Sequence, residues 1–130
     1  MKERKSVIRI ENKEDGRGIF RSYAGDFERH SNYNEIYNRH QNKDKFPAYG
    51  HDIQLRDQIN YDDLQDYYFA FKSLEQLRTG FTDVELKEAI EELGFQVLML
   101  DVTDYYESDY QIVFNKESIV EEKDISFMFL

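Results

Sequence analysis

Apolar positions along the chain change period several times, and each change marks an element. Ser6-Val7-Ile8-Arg9-Ile10 alternates over β-branched residues and predicts a strand. Residues 11–18, with an Asp-Gly step and two glycines, predict a turn, and residues 18–23 a second strand. Residues 24–60 read as a long, loop-rich excursion pinned by aromatics. Within it Tyr33, Ile36 and Tyr37 fall at helical spacing, and Pro47 marks a loop.

From residue 61 the pattern sharpens. Tyr67-Tyr68-Phe69-Ala70-Phe71 is an aromatic run of strand length. Ser73-x-x-Gln76 matches a capping box and starts a short helix ending near Gly80. Thr82-x-x-Glu85 is a second box. Leu86, Ala89, Ile90 and Leu93 then follow at helical spacing, and Gly94 suits the position after a helix. That predicts a helix over 83–93. The apolar run 95–102 predicts a central strand, 103–109 an acidic turn, 110–114 another strand. Residues 115–124 are polar, with Ile119 and Val120 as an anchor, and 125–130 read as a final strand. These elements amount to one α+β domain spanning 1–130. Its sheet is mixed or mostly antiparallel, with four to six strands and two or three helices.

Composition narrows the class. The chain has 130 residues, ten Tyr and ten Phe, enough large aromatics to build a core, so it is not a disordered chain. It has no Cys, which excludes disulfides, thiol nucleophiles and thiolate metal sites. No apolar run reaches the roughly 18–20 residues of a membrane span. The charged start carries no apolar signal region, so the expected location is the cytoplasm.

Charge is the distinctive feature. The net charge is −10, but residues 1–60 carry 12 Lys and Arg against 10 Asp and Glu, a net of +2. Residues 61–130 carry 5 against 17, a net of −12. Such a surface repels nucleic acid directly and attracts basic proteins. The 83–93 helix holds Asp83, Glu85, Glu88, Glu91 and Glu92 against Lys87 alone, whereas a solvated helix ordinarily mixes both signs. Asp101, Asp104, Glu107 and Asp109 follow, with Tyr105, Tyr106 and Tyr110 interleaved. Carboxylates beside tyrosines suit an Arg-rich surface through charged hydrogen bonds and cation–π contacts. The candidate partner-binding residues are therefore Glu85, Glu88, Glu92, Asp104, Tyr105, Tyr106, Glu107 and Asp109. The expected partner is a basic protein surface, with no direct nucleic acid and no membrane.

Other motifs are weaker. Asp62-Asp63-x-x-Asp66 would put two carboxylates on one helix face, yet acids also favour a helix N-terminus, and no metal is expected. His30, His40 and His51 lack ligand spacing, although His51 and Asp52 could pair locally. Gly16-Arg17-Gly18 lacks the phosphate-loop spacing, and no Gly-x-Ser-x-Gly elbow occurs. No cofactor is expected.

The order of Ile8-Arg9-Ile10-Glu11-Asn12, Gly18-Ile19-Phe20, residues 69–77, Gly94-Phe95-x-Val97 and Tyr110-Gln111-Ile112-Val113-Phe114 resembles small uncharacterised proteins encoded by bacteriophages and prophages. The same skeleton is loosely similar to compact ADP-ribosyltransferase-like domains. That second resemblance implies a dinucleotide site with Arg9, Ser73 and Gln111 in catalytic positions, although Gln111 lacks the charge a Glu would supply there.

Three functions are compatible with this reading. The first, which the phage resemblance implies, is a phage inhibitor in the host-cell cytoplasm that blocks a basic nucleic-acid-binding surface of a host or defence protein, of anti-CRISPR or anti-restriction type. The second is a small ADP-ribosyltransferase-like enzyme or dinucleotide-binding domain. The third is a structural or assembly protein of the phage.

Overall fold

Nine regular elements follow one another in a computed structural model that describes residues 3–14, 52–60 and 62–130. They are β1 (Lys5–Asn12), α1 (Ile53–Arg56), β2 (Tyr67–Ala70), α2 (Leu74–Gly80), α3 (Asp83–Glu92), β3 (Phe95–Val102), β4 (Tyr105–Glu107), β5 (Ile112–Asn115) and β6 (Ile119–Asp124). The α+β class stands. The six described strands form two antiparallel three-stranded sheets, ordered β1-β3-β6 and β2-β5-β4. A backbone bridge joins them: Ile8 N–H donates to Phe71 O at 2.9 Å, and Phe71 N–H to Ile8 O at 2.7 Å. The expected strand 18–23, the turn around Gly16-Arg17-Gly18, the helix near Tyr33–Tyr37, Pro47 and the three histidines lie outside the described residues.

The sheets stack, and both faces of the first are covered. Ile8, Ile10, Phe95 and Val97 pack with Leu77, Leu86 and Ala89 of the helices. Val7, Leu98, Leu100 and Val102 face Ala70, Ile112 and Phe114 of the second sheet. The far side of the second sheet, Tyr67, Phe69 and Val113, packs on Leu55, Ile59 and Leu64 around α1. The order is therefore helix, sheet, sheet, helix. Burial on both faces explains why β3 reads as a continuous apolar run instead of an alternating one.

Helix α3 has both local signals for its ends. Thr82 Oγ1 accepts from Glu85 N–H at 3.1 Å, and Glu85 Oε1 accepts from Thr82 N–H at 2.9 Å. Beyond its last turn, Gly94 takes φ +77°, the left-handed conformation glycine adopts without strain. Asn12 Nδ2 then donates to Leu93 O at 3.2 Å, tying the helix end to β1.

Five sequence expectations change. The α2 box is only half formed. Ser73 Oγ accepts from Gln76 N–H, but Gln76 Oε1 reaches past Ser73 to Lys72 N–H at 2.6 Å. The expected acidic turn contains β4, and the polar stretch 115–124 contains β6. Both are edge strands held by backbone pairing to β5 and β3, so no hydrophobic alternation announces them. The expected strand at 110–114 starts at Ile112 instead. The expected final strand is a 3-10 turn, Ser126–Phe129. Ile125, Ser126 and Phe129 are buried while Phe127, Met128 and Leu130 are exposed, a spacing of three to four residues instead of two. Ser126 Oγ accepts from Val97 N–H at 2.9 Å, which holds the turn against β3.

Candidate functional site

The acidic candidates divide between two layers. Glu85, Glu88 and Glu92 lie on α3, outside the first sheet. Asp104, Tyr105, Tyr106, Glu107 and Asp109 lie in and around β4, the edge of the second sheet. They form two acidic regions instead of one continuous face.

Most of the β4 group already has partners. Tyr67 Oη donates to Asp104 Oδ2 at 2.8 Å. Lys5 Nζ pairs with Glu107 and lies 5.7 Å from the Tyr105 ring centre. Tyr106 packs on Tyr67, with ring centres 5.6 Å apart. Gln54 brackets Asp109, donating from Nε2 to its carboxylate at 2.9 Å and accepting its N–H at 2.6 Å. Burial and then the bonded Asp104 raise the Tyr67 hydroxyl above its ordinary range.

On α3 the carboxylates are less engaged. Asp83 pairs with Arg78 across an exposed 3.3 Å contact, and Glu85 serves the capping box. Glu91 and Glu92 are exposed and have no ion pair among the described residues. They stand in the last turn, which holds no basic residue, against the negative end of the helix dipole. A helix tuned for stability alone would place cations there.

The positions matched to an ADP-ribosyltransferase-like site serve packing. Arg9 is 2% exposed, between the sheets. Its Nη1 donates to Phe69 O at 3.0 Å and its Nε to Glu11 at 2.8 Å, while the guanidinium stacks 4.0 Å from the Tyr68 ring centre. Ser73 caps α2. Gln111 is 5% exposed, and its Nε2 donates to Asp52 Oδ2 at 2.9 Å.

That last bond belongs to a buried polar cluster which sequence reasoning missed. Asp52 is 1% exposed. It accepts from Ser108 Oγ at 2.6 Å and caps α1 by accepting from Leu55 N–H at 3.1 Å. Ser108 Oγ in turn accepts the N–H groups of Tyr110 and Gln111 at 3.1 and 3.2 Å. The cluster ties α1 to the turn between β4 and β5. An Asp just ahead of Ile53 and Leu55 is an N-cap signal, but nothing local points to Ser108.

Asp62, Asp63 and Asp66 are exposed around a 3-10 turn, Asp63–Asp66. That places 63 and 66 on one side, where an α-helix would align 62 with 66. Among the described residues no cluster of three or more His, Cys, Asp or Glu is arranged to hold a metal. No described helix is long and apolar enough to cross a membrane.

Comparison with known proteins identifies one relationship. A family model described as bacteriophage T4 Y00F protein matches residues 1–128. No curated protein and no solved structure matches the chain, and no likeness to ADP-ribosyltransferase-like domains is shown.

Proposed function

The chain belongs to the bacteriophage T4 Y00F protein family, and from that premise we propose that it acts by binding, as an acidic inhibitor of a host or defence protein. Its target is a basic nucleic-acid-binding surface, as on a CRISPR effector or a restriction enzyme. The carrying observation is α3, with five acids against Lys87 and with Glu91 and Glu92 exposed at the end where the dipole disfavours them. Carboxylates spaced along a helix imitate the regular charges of a phosphate backbone, and a cluster of one sign steers a basic partner into encounter. The β4 carboxylates, held by Tyr67, Lys5 and Gln54, add preorganised charge at a second region.

The test is a pull-down from host cells followed by a nucleic-acid competition assay on the captured protein. The expected result is loss of its DNA or RNA binding when the acidic protein is added, weakening steeply with salt. Glu91→Lys with Glu92→Lys should remove the effect without unfolding, because both positions are exposed and Lys suits a helix C-terminus. A captured protein that holds nucleic acid at full affinity, or is blocked equally by the double variant, would overturn the reading.

A further inference from the structure

Strand β6 ends the first sheet. Its inner side pairs with β3 from Leu98↔Asp124 to Val102↔Ile119. On its outer side its backbone makes no hydrogen bond among the described residues. Ile119 is half-buried and the other five residues are exposed. Six residues in extended form leave about 20 Å of edge open among the described residues. Soluble proteins usually blunt such an edge by shortness, proline, a bulge or charge. Here the length is ordinary and proline is absent. The register shift sits at the Val102 end and leaves 121–124 in regular pairing. What remains is charge, and it is predominantly negative: Glu121, Glu122 and Asp124 against Lys123, a net of −2.

The placement of those charges is selective. Cross-strand partners share a face, so Glu122 stands with Leu100 and Asp124 with Leu98. Two carboxylates two residues apart thus line one side of the open edge. On the other side, Glu121 accepts from Arg4 Nη2 at 2.6 Å. A second copy would bring an edge of net −2 against another of net −2, in a molecule of net −10. The edge is therefore guarded against self-pairing and open to the opposite sign.

We propose that the open edge of β6 takes up a basic extended segment of a partner protein as an added strand. Backbone hydrogen bonds along 121–124 hold it, and Lys or Arg at alternating positions meet Glu122 and Asp124. Strand addition of this kind draws affinity from the main chain and specificity from alternate side chains. The inference rests on the binding reading above for the charge of the partner, and adds the form in which that partner is held.

Hydrogen exchange of the full chain tests it, with a ten-residue peptide alternating Lys and Thr as the probe and a Glu–Thr peptide as its control. The Lys–Thr peptide should slow exchange of the 119–124 amides by about tenfold or more, since pairing shelters groups otherwise open to water. The control should leave them unchanged. Glu122→Lys with Asp124→Asn should abolish the response while melting stays cooperative. In Asp124→Asn a side-chain oxygen remains to accept the Ser126 N–H. Three results would overturn the proposal: no added protection, equal protection by both peptides, or protection without peptide that grows with protein concentration, which would mean a second copy. The two readings separate cleanly. If a captured host partner is lost with Glu91→Lys/Glu92→Lys but kept by the β6 variant, strand addition fails and the inhibitor reading stands. If the Lys–Thr peptide protects β6 but no captured protein loses nucleic acid, the inhibitor reading fails.

Discussion

Tyr67 shows how one side chain links burial to pH. Its hydroxyl donates to Asp104 from a buried position, and burial, then the bond and the charge of Asp104, all favour the neutral form. The folded chain therefore keeps this proton to higher pH than the unfolded chain does. A raised value of this kind contributes stability that is complete below the ordinary tyrosine range, near pH 10, and is lost as pH rises through the folded value. Tyr67→Phe should flatten the alkaline decline in melting temperature relative to wild type, measured between about pH 9 and 11. Identical declines would place the lost stability in other tyrosines. Asp124 has the opposite sign. Hydrogen bonds from the Ser126 side chain, and next from its backbone N–H, hold its carboxyl below the usual range. Its contribution is present at neutral pH and disappears only as pH falls through that lowered value. The Tyr67 environment is not legible locally, because Asp104 lies 37 positions away, whereas the partner of Asp124 is only two residues on.

Among the elements, those with local signals at both ends were readable. α3 carries Thr82 and Glu85 at its start, Gly94 after its end and an apolar stripe between, all short-range features. β4 and β6 were not, because their pairing uses backbone groups that every sequence possesses. α1 is the intermediate case. Four residues are too few to stand alone as a helix, so its place depends on the cap from Asp52 and on burial of Leu55. Asp52→Ala should be costly. It removes the cap and leaves the Ser108 hydroxyl and the Gln111 amide without their buried acceptor, a loss of about 2–4 kcal/mol. Urea unfolding measures this directly. A change under about 0.5 kcal/mol would mean that water replaces the carboxylate without penalty. The same network engages Gln111, whose side-chain amide helps to hold α1 against the β4–β5 turn.

For the whole molecule, electrostatics outweigh any single ion pair. The second half carries a net of −12, and pairs such as Arg78–Asp83 lie at the surface, where each contributes little. Self-repulsion of the folded chain should therefore weaken as salt shortens the Debye length from about 30 Å at 0.01 M to about 8 Å at 0.15 M. Melting temperature should rise over that range of sodium chloride. A fall would mean that attractive pairs dominate the native state. The acidic character, the α+β class and the α3 helix were determined by sequence alone, because charge, period and capping are properties of residues and their near neighbours. Tertiary structure alone decided that the six described strands divide into two stacked sheets and that Arg9 and Gln111 are buried. It also decided that the acids lie on separate layers and that β6 ends the first sheet among the described residues. Each of those facts depends on which distant segments meet, and long-range pairing is set by the combined burial of all the layers, which no short window of the chain contains.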